Sequence, residues 1–455
     1  NKRIVCEKIL PLVKQAQALS QKYDVVCTNP PYMGTSSFPA PLNRKKEDDK
    51  YKPLNLTEYI AKNYFDSKSD LFAVFIERCR NLIKQNGYQA MITQHAWMFL
   101  SSYEKLREKL MLSTTVNMAH LGARAFDEIG GEVVQTTAFV ERKAHMNGYK
   151  GTYARLVGIV GENEKRDAFL SHQNVYVSCA DNFSKIPGMP VAYWVSEYFI
   201  KSFERRTIGC YGSTSKGIIT GDNSKFLRLW FEVNINNMNL KAEKYTESEE
   251  SNIEWYPCNK GGEYRKWYGN KDYLINWKHN GCEIMQRGQK KIRNCQDYKN
   301  EFKFIPSITW TSLSSSQSSF RYSNKSLSES AGMTLFISQD YLLFCLGFLN
   351  SVVALFSLNV LNPTLNFTAG HIASLSSLYK KIIDSIVNEN IVLSKSDWDS
   401  FETSWDFKTH PLIKPVPLIS EAFAQWSDEC EKRFTRLKSN EEELNRIFID
   451  IYGYT

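Results

Sequence analysis

Asn29-Pro30-Pro31-Tyr32 sets an amide acceptor, two rigid imino acids and an aromatic ring in succession, a combination suited to holding a planar amine. It follows the short β-branched run Tyr23-Asp24-Val25-Val26-Cys27, which reads as a buried strand stopping near Thr28. The two prolines donate no amide hydrogen and hold φ at about −65°. Pro31 also drives Pro30 towards an extended conformation. The expected result is a stiff loop at the carboxyl end of a strand, the edge where open α/β sheets bind ligands. Such a loop aims the Asn29 side chain, the backbone carbonyls and the Tyr32 ring in fixed directions. The exocyclic amine of adenine is a poor nucleophile because its lone pair is delocalised into the ring. Two acceptors that take its hydrogens, Asn29 Oδ1 and the Pro30 carbonyl, can free that lone pair. Tyr32 offers a π-face to a flipped base, worth roughly 1–3 kcal/mol. On these four residues alone, a proline-rich turn without chemistry is the competing reading.

Longer segments narrow the choice. "NPPYMG", "SDLFAVFIERCRNLIKQNGYQAMIT", "GGEVVQTTAFV", "TGDNSKFLRLWFEV", "LNPTLNFTAGHI" and "DWDSFETSWDFKTHPL" span nearly the whole chain. Together they resemble the adenine-specific DNA methyltransferases of phage-exclusion (BREX, PglX-type) systems, and more distantly the large restriction–modification methylases. The resemblance implies transfer of a methyl group from S-adenosylmethionine to adenine N6 in duplex DNA by base flipping, with other phage-defence proteins as partners. It implies catalytic roles for Asn29, Pro30, Pro31 and Tyr32, cofactor contacts at Asp70 and Phe72, and a second stacking face at Phe126. For Asp70 the alternative is a helix cap, and for Phe126 a core ring. A DNA-recognition subunit with little catalysis, or an amino-methyltransferase acting on RNA or protein, remains as the alternative function.

Positioning these residues requires an α/β framework. Residues 1–145 read as the back half of a doubly wound sheet of the class I methyltransferase type, mostly parallel, with a hairpin-like pair at its end. "SDLFAVFIERCRNLIKQNG" reads as a helix capped by Ser69 or Asp70 with Gly87 just past its end. "SSYEKLREKLM" reads as a helix opened by a serine cap. "EKILPLVKQAQALSQ" is a further helix, and the polar stretch 35–69 is long enough to be a functional or mobile loop. Three βα units of about 30 residues should precede the NPPY strand in this fold. Only residues 1–22 do, without a glycine-rich cofactor loop, so a fragment cut within its catalytic domain is expected, inactive alone, with most of the cofactor site outside it. The helical ending "EEELNRIFIDIYGYT" suggests the same at the other end. Residues 146–204 read as a linker with short strands, 205–375 as a β-rich target-recognition domain, and 376–455 as a helical spacer region.

The formal charge is +8, and residues 201–300 hold 18 Lys plus Arg against 12 Asp plus Glu, interleaved with Tyr and Trp. That pattern favours nucleic acid. Lys216, Asn223, Lys225 and Arg228 surround a Gly-Asp-Asn turn suited to phosphates. Arg265, Lys266, Lys271 and Arg321 lie in aromatic segments suited to groove contacts. Ten cysteines without a CxxC pair and seven scattered histidines argue against a metal site. No apolar run spans a bilayer and no secretory signal opens the chain, so no membrane partner and a cytoplasmic location are expected.

Overall fold

A computed structural model describes residues 5–37, 56–126, 134–291, 299–312, 317–362 and 367–454. Within the polar stretch 35–69, residues 38–55 lie outside the described residues, as do parts of "GGEVV" and "LNPTLN". The chain divides into two compact units, Asn1–Ile200 and Lys201–Thr455.

The first unit is built on six strands: β1 (Tyr23–Thr28), β2 (Ile83–Gln94), β3 (Thr114–Gly122), β4 (Thr136–Arg142), β5 (Lys150–Arg155) and β6 (Val175–Cys179). They lie in the order β1-β2-β4-β3-β5-β6. Only β1–β2 and β3–β5 run parallel, while β2–β4, β3–β4 and β5–β6 run antiparallel. The sheet is therefore mixed rather than mostly parallel. The consecutive strands β3 and β4 pair antiparallel, and β4 inserts between β2 and β3. The segment expected as a linker adds β5 and β6 to this sheet, so it is part of the framework.

One face of the sheet is covered. Helix α1 (Leu10–Ser20) buries none of its residues, whereas α2 (Leu71–Leu82) buries Phe72, Ala73, Val74, Ile76 and Cys79. That spacing is one helical stripe. With Met91, Trp97, Met98, Tyr103, Met118, Phe139 and Tyr153 it forms the core of the unit. Helix α3 (Glu104–Leu110) contributes Leu106 and Leu110. It is preceded by a 3₁₀ turn, Ser101–Tyr103, that has no side-chain cap, so the expected serine cap is absent. Helix α2 ends at Leu82, and Gly87 lies inside β2. Only glycine fits there: a Cβ would meet the Asp24 carbonyl oxygen at 2.7 Å, where the β1–β2 register shifts.

The other face is covered in part: at β5, Ala154 is buried in a cluster with Ala168 of the helix Glu162–Leu170. Ala154, Ala119, Ala138 and Ile92 stand side by side across four strands and line a depression of about 740 Å³ with Cys27 and Ala90. Strand β1 is at the sheet edge and Val25 is 58% exposed, so the expected fully buried strand is half-covered instead.

The second unit contains β7 (Gly212–Ser215), β8 (Leu227–Leu229), β9 (Trp255–Asn259), β10 (Tyr273–Asn276), β11 (Ser307–Thr311), β12 (Phe320–Ser323), β13 (Leu327–Ser328) and β14 (Gly332–Ile337). They form two four-stranded sheets, β13-β9-β10-β8 and β12-β11-β14-β7. The apolar helices α4 (Gln339–Leu349) and α5 (Val352–Leu361) are largely buried. Helices α6 (Asp384–Trp398) and α7 (Ile419–Tyr452) follow. Phe448 of α7 packs on Phe344 and Phe348 of α4, and Tyr452 stacks on Phe348 at 5.2 Å. Among the described residues no single helix is long and apolar enough to cross a membrane. The bent pair α4–α5 passes that test only when taken together, and its apolar residues serve the core of this unit.

Candidate active site

Asn29 leaves the carboxyl end of β1 with its side chain exposed, while Pro30 is buried. The loop is pinned by Asp70, the N-cap of α2. Asp70 Oδ1 accepts from the Met33 amide at 3.0 Å and from the Phe72 amide at 3.3 Å. The backbone repeats the link: Leu71 N donates to Met33 O at 3.0 Å and Thr35 N to Ser69 O at 3.3 Å. One carboxylate thus satisfies an orphan helix amide and fixes the peptide after Tyr32. Burial pushes the Asp70 carboxyl above its usual range, partly offset by these amide hydrogen bonds.

Tyr32 is half-buried, its ring edge-on to Phe72 at 6.3 Å and 88°. Its hydroxyl has no hydrogen-bond partner among the described residues, and burial raises its pKa. Phe72 is 1% exposed and also touches the Tyr103 ring at 5.8 Å. It is a core residue behind Tyr32, with no surface to offer a cofactor. Phe126 is half-buried and immediately precedes residues 127–133, which lie outside the described residues.

Two features of this sheet edge have no signal in the sequence. The turn after β2 is held by the buried Arg107 of α3, which donates to the carbonyls of Trp97 at 2.7 Å, Leu100 at 2.8 Å and Gly188 at 2.6 Å. Burial lowers its pKa to about 10. In the same turn His95 Nδ1 lies 2.8 Å from His120 Nε2, and His120 Nδ1 lies 3.1 Å from the Tyr193 hydroxyl. Burial pushes His95 down to about 4 and His120 well below its ordinary value. Burial disfavours the charged form of both rings, and one N–H bridges the two nitrogens. The partners are separated by 25 and 73 residues, a distance no local pattern reveals.

The eight residues expected to touch nucleic acid divide in two. Lys216 and Asn223 are exposed. Gly221 adopts φ +71°, Asp222 caps the following turn through Lys225 N at 3.1 Å, and Asn223 accepts from the Thr220 hydroxyl. Lys225 pairs with Glu283 at the surface. Arg228 donates to the Ser224 and Leu227 carbonyls and lies 5.8 Å from the Trp255 ring. The others turn towards the protein. Lys266 pairs with Glu441 of α7 at 2.7 Å, and Trp267 Nε1 donates to the same carboxylate at 2.7 Å. Arg265 lies over Trp398 at 4.9 Å, with Asp397 at 3.9 Å. Lys271 is buried against Tyr268, and burial lowers its pKa to about 8. Arg321 is 1% exposed and donates to Arg265 O, Ser319 Oγ and Thr311 Oγ1, each at 3.3 Å. A guanidinium so enclosed presents no surface to a phosphate. Lys266, Lys271 and Arg321 are therefore corrected from groove contacts to supports of the fold: a carboxylate of α7 engages Lys266, and burial among their own neighbours encloses Lys271 and Arg321.

Known proteins of similar sequence match nearly the whole chain. The chain is 42% identical over 462 aligned residues to the adenine-specific methyltransferase PglX of Lacticaseibacillus casei (strain Zhang), covering 97% of this chain and 37% of that protein. It is 36% identical to the adenine-specific methyltransferase BrxX of Escherichia coli O9:H4 (strain HS), covering 98% of this chain and 35% of that one. The chain is PglX- and BrxX-like. It spans little more than a third of the length of these curated relatives. A model of the Eco57I restriction-modification methylase family matches residues 6–123, the part that carries the NPPY loop. The fold is similar to that of the Type IIL restriction-modification enzyme MmeI, solved in complex with DNA, with a TM-score of 0.53, 13% identity, and coverage of 95% of this chain and 54% of that one.

Proposed function

We propose that this PglX/BrxX-like chain holds a flipped adenine of duplex DNA for methylation at N6, in a phage-defence or restriction–modification setting. The observation that carries the reading is the Asn29–Tyr32 loop at the carboxyl end of β1, exposed at Asn29 and pinned at Met33 by Asp70. In this reading the adenine amine donates its hydrogens to Asn29 Oδ1 and the Pro30 carbonyl, and Tyr32 supports the ring. The contribution of these groups is positioning and release of the nitrogen lone pair. No covalent enzyme intermediate is required.

S-adenosylmethionine, the donor that the family implies, supplies an already activated methyl group. The two side chains expected to contact it are engaged elsewhere. Asp70 spends Oδ1 on two backbone amides and Phe72 is enclosed in the core, so the part of this chain in the reaction is to hold the base. The doubly wound reading of the sheet, the recognition role of the second unit, and a second stacking face at Phe126 belong to the same proposal. Lys216, Asn223, Lys225 and Arg228 keep their proposed phosphate-contact roles.

The test is substrate choice. The complete protein that carries this sequence, given methyl-labelled S-adenosylmethionine and offered duplex DNA, RNA and protein in parallel, should label DNA at adenine N6. Label appearing in RNA or protein instead would overturn the proposal.

A further inference from the structure

The basic residues of 201–300 do not make one free patch. Lys225, Arg265, Lys266 and Lys278 each face a carboxylate. Two arginines of that stretch, Arg205 and Arg206, stand instead with Lys380 where two distant segments run side by side. Residues 205–211 and 375–380 are joined by a bridge between Thr207 and Ser376, by Ile208 N donating to Leu375 O at 2.8 Å, and by Ser377 N donating to Arg206 O at 2.9 Å. They frame a groove of about 520 Å³ lined by Arg205, Arg206, Lys380 and three tyrosines, Tyr211, Tyr341 and Tyr379.

The three cations are exposed and form no ion pair among the described residues. No acid lines the groove. Asp340 and Asp384 act on Tyr379, and Asp384 is answered by Lys381, while Glu204 and Asp450 adjoin the groove in sequence without pairing with its cations among the described residues. The tyrosine rings brace one another, Tyr211 on Tyr341 at 4.7 Å and Tyr341 on Tyr379 at 4.5 Å. Arginine forks, a lysine and tyrosine hydroxyls on a rigid wall are the donor set that proteins use to hold a nucleic-acid backbone.

We infer that this groove grips the sugar–phosphate backbone of duplex DNA through Arg205, Arg206 and Lys380. The inference rests on the proposed DNA substrate and adds a contact surface that no stretch of sequence displays, since its halves are about 170 residues apart. It fixes the position of the duplex without reading its sequence.

The experiment is a salt titration of the full 455-residue chain with a mixed-sequence duplex. Each phosphate contact contributes about 0.9 to the slope of log affinity against log salt, so three should contribute about 2.7. Replacing Arg205, Arg206 and Lys380 together with Ala should reduce the slope by about that amount, a loss about 40-fold larger at 50 mM than at 200 mM salt. The charge-keeping pair R205K and R206K should retain the slope, and the thermal midpoint of every variant should stay at the wild-type value. Wild-type binding with an unchanged slope in the triple variant overturns the groove and leaves the DNA substrate standing. A wild-type chain that ignores duplex DNA at 50 mM salt but binds polyglutamate through these residues overturns the DNA assignment of the groove, while methylation by the complete protein tests the substrate separately.

Discussion

The Asn29–Met33 loop and the 262–271 segment are both rich in residues that look functional, and they fold to opposite ends. In the first, the chemistry is local. A strand stops, two prolines fix the backbone, and the amide after Tyr32 is held by a cap 37 residues on. The Asn29 side chain is left free. In the second, cations and aromatics are engaged by carboxylates and rings from α6 and α7, as Lys266 and Trp267 are by Glu441 and Arg265, at the surface, by Trp398. Backbone rigidity survives folding as a property of the loop itself. Side-chain charge does not, because a long flexible cation turns towards whichever anion the tertiary fold supplies.

Four experiments probe that contrast. The largest effect is expected in the loop. Asn29→Ala in the complete enzyme removes an acceptor on the reacting amine and should lower the single-turnover methylation rate by roughly 10²- to 10³-fold, the scale of a lost transition-state hydrogen-bonding group. DNA affinity should hardly change, since backbone contacts dominate it. A variant with full rate would reduce the loop to a structural turn.

In the second region the prediction concerns stability. Lys271 has a pKa lowered from 10.5 to about 8 by burial. A folded value below the unfolded one means the buried amine suits the fold when neutral, and the penalty for charging it builds as pH falls from 10.5 to about 8 and is nearly complete below that. Keeping it charged at pH 7 costs about 3 kcal/mol by this linkage, shrinking towards about 2 kcal/mol at pH 9. Lys271→Met should therefore stabilise the chain in urea titrations at pH 7, with a smaller gain at pH 9. A destabilised variant with weaker DNA binding would return Lys271 to the interface.

Tyr32 tests stacking against hydrogen bonding. Tyr32→Ala should weaken extrusion of the target base by roughly 1–3 kcal/mol, read as lost signal from a fluorescent base analogue. Tyr32→Phe should keep most of it, because the hydroxyl has no partner among the described residues. Equal loss in both variants would show that the hydroxyl matters.

The smallest effect is at the pin. Asp70→Ala removes a helix cap and should cost about 0.5–2 kcal/mol in thermal or denaturant unfolding, together with slower methyl transfer as the peptide after Tyr32 loosens. Asp70→Asn keeps an acceptor for both amides and should restore the rate. Normal turnover in Asp70→Ala would separate the cap from the loop.

Much of the framework was legible in the sequence. The 3.6-residue stripe of α2, its Asp70 cap, and the strands β1 to β4 follow from patterns a few residues long. Gly87 was misplaced because a close approach of the Asp24 carbonyl, a contact across 63 residues, fixes its role. The direction of β4 was not legible either. Its insertion between β2 and β3 is a matter of hydrogen-bond pairing, and the same alternating residues serve parallel or antiparallel neighbours.

What the sequence determined by itself is the stiff proline loop after β1, because φ restriction and the missing amide hydrogens are covalent facts of Pro30 and Pro31. The stacking-competent ring at position 32 and the acceptor at position 29 come with it. Tertiary structure alone decided which charges remain free. It enclosed Arg321 and Lys271, tied Lys266 to α7, paired His95 with His120, and left Arg205, Arg206 and Lys380 facing outward together. The physical reason is range. A dihedral restriction acts within one residue, whereas an ion pair or a desolvated cation depends on neighbours that only the folded chain brings within a few ångströms.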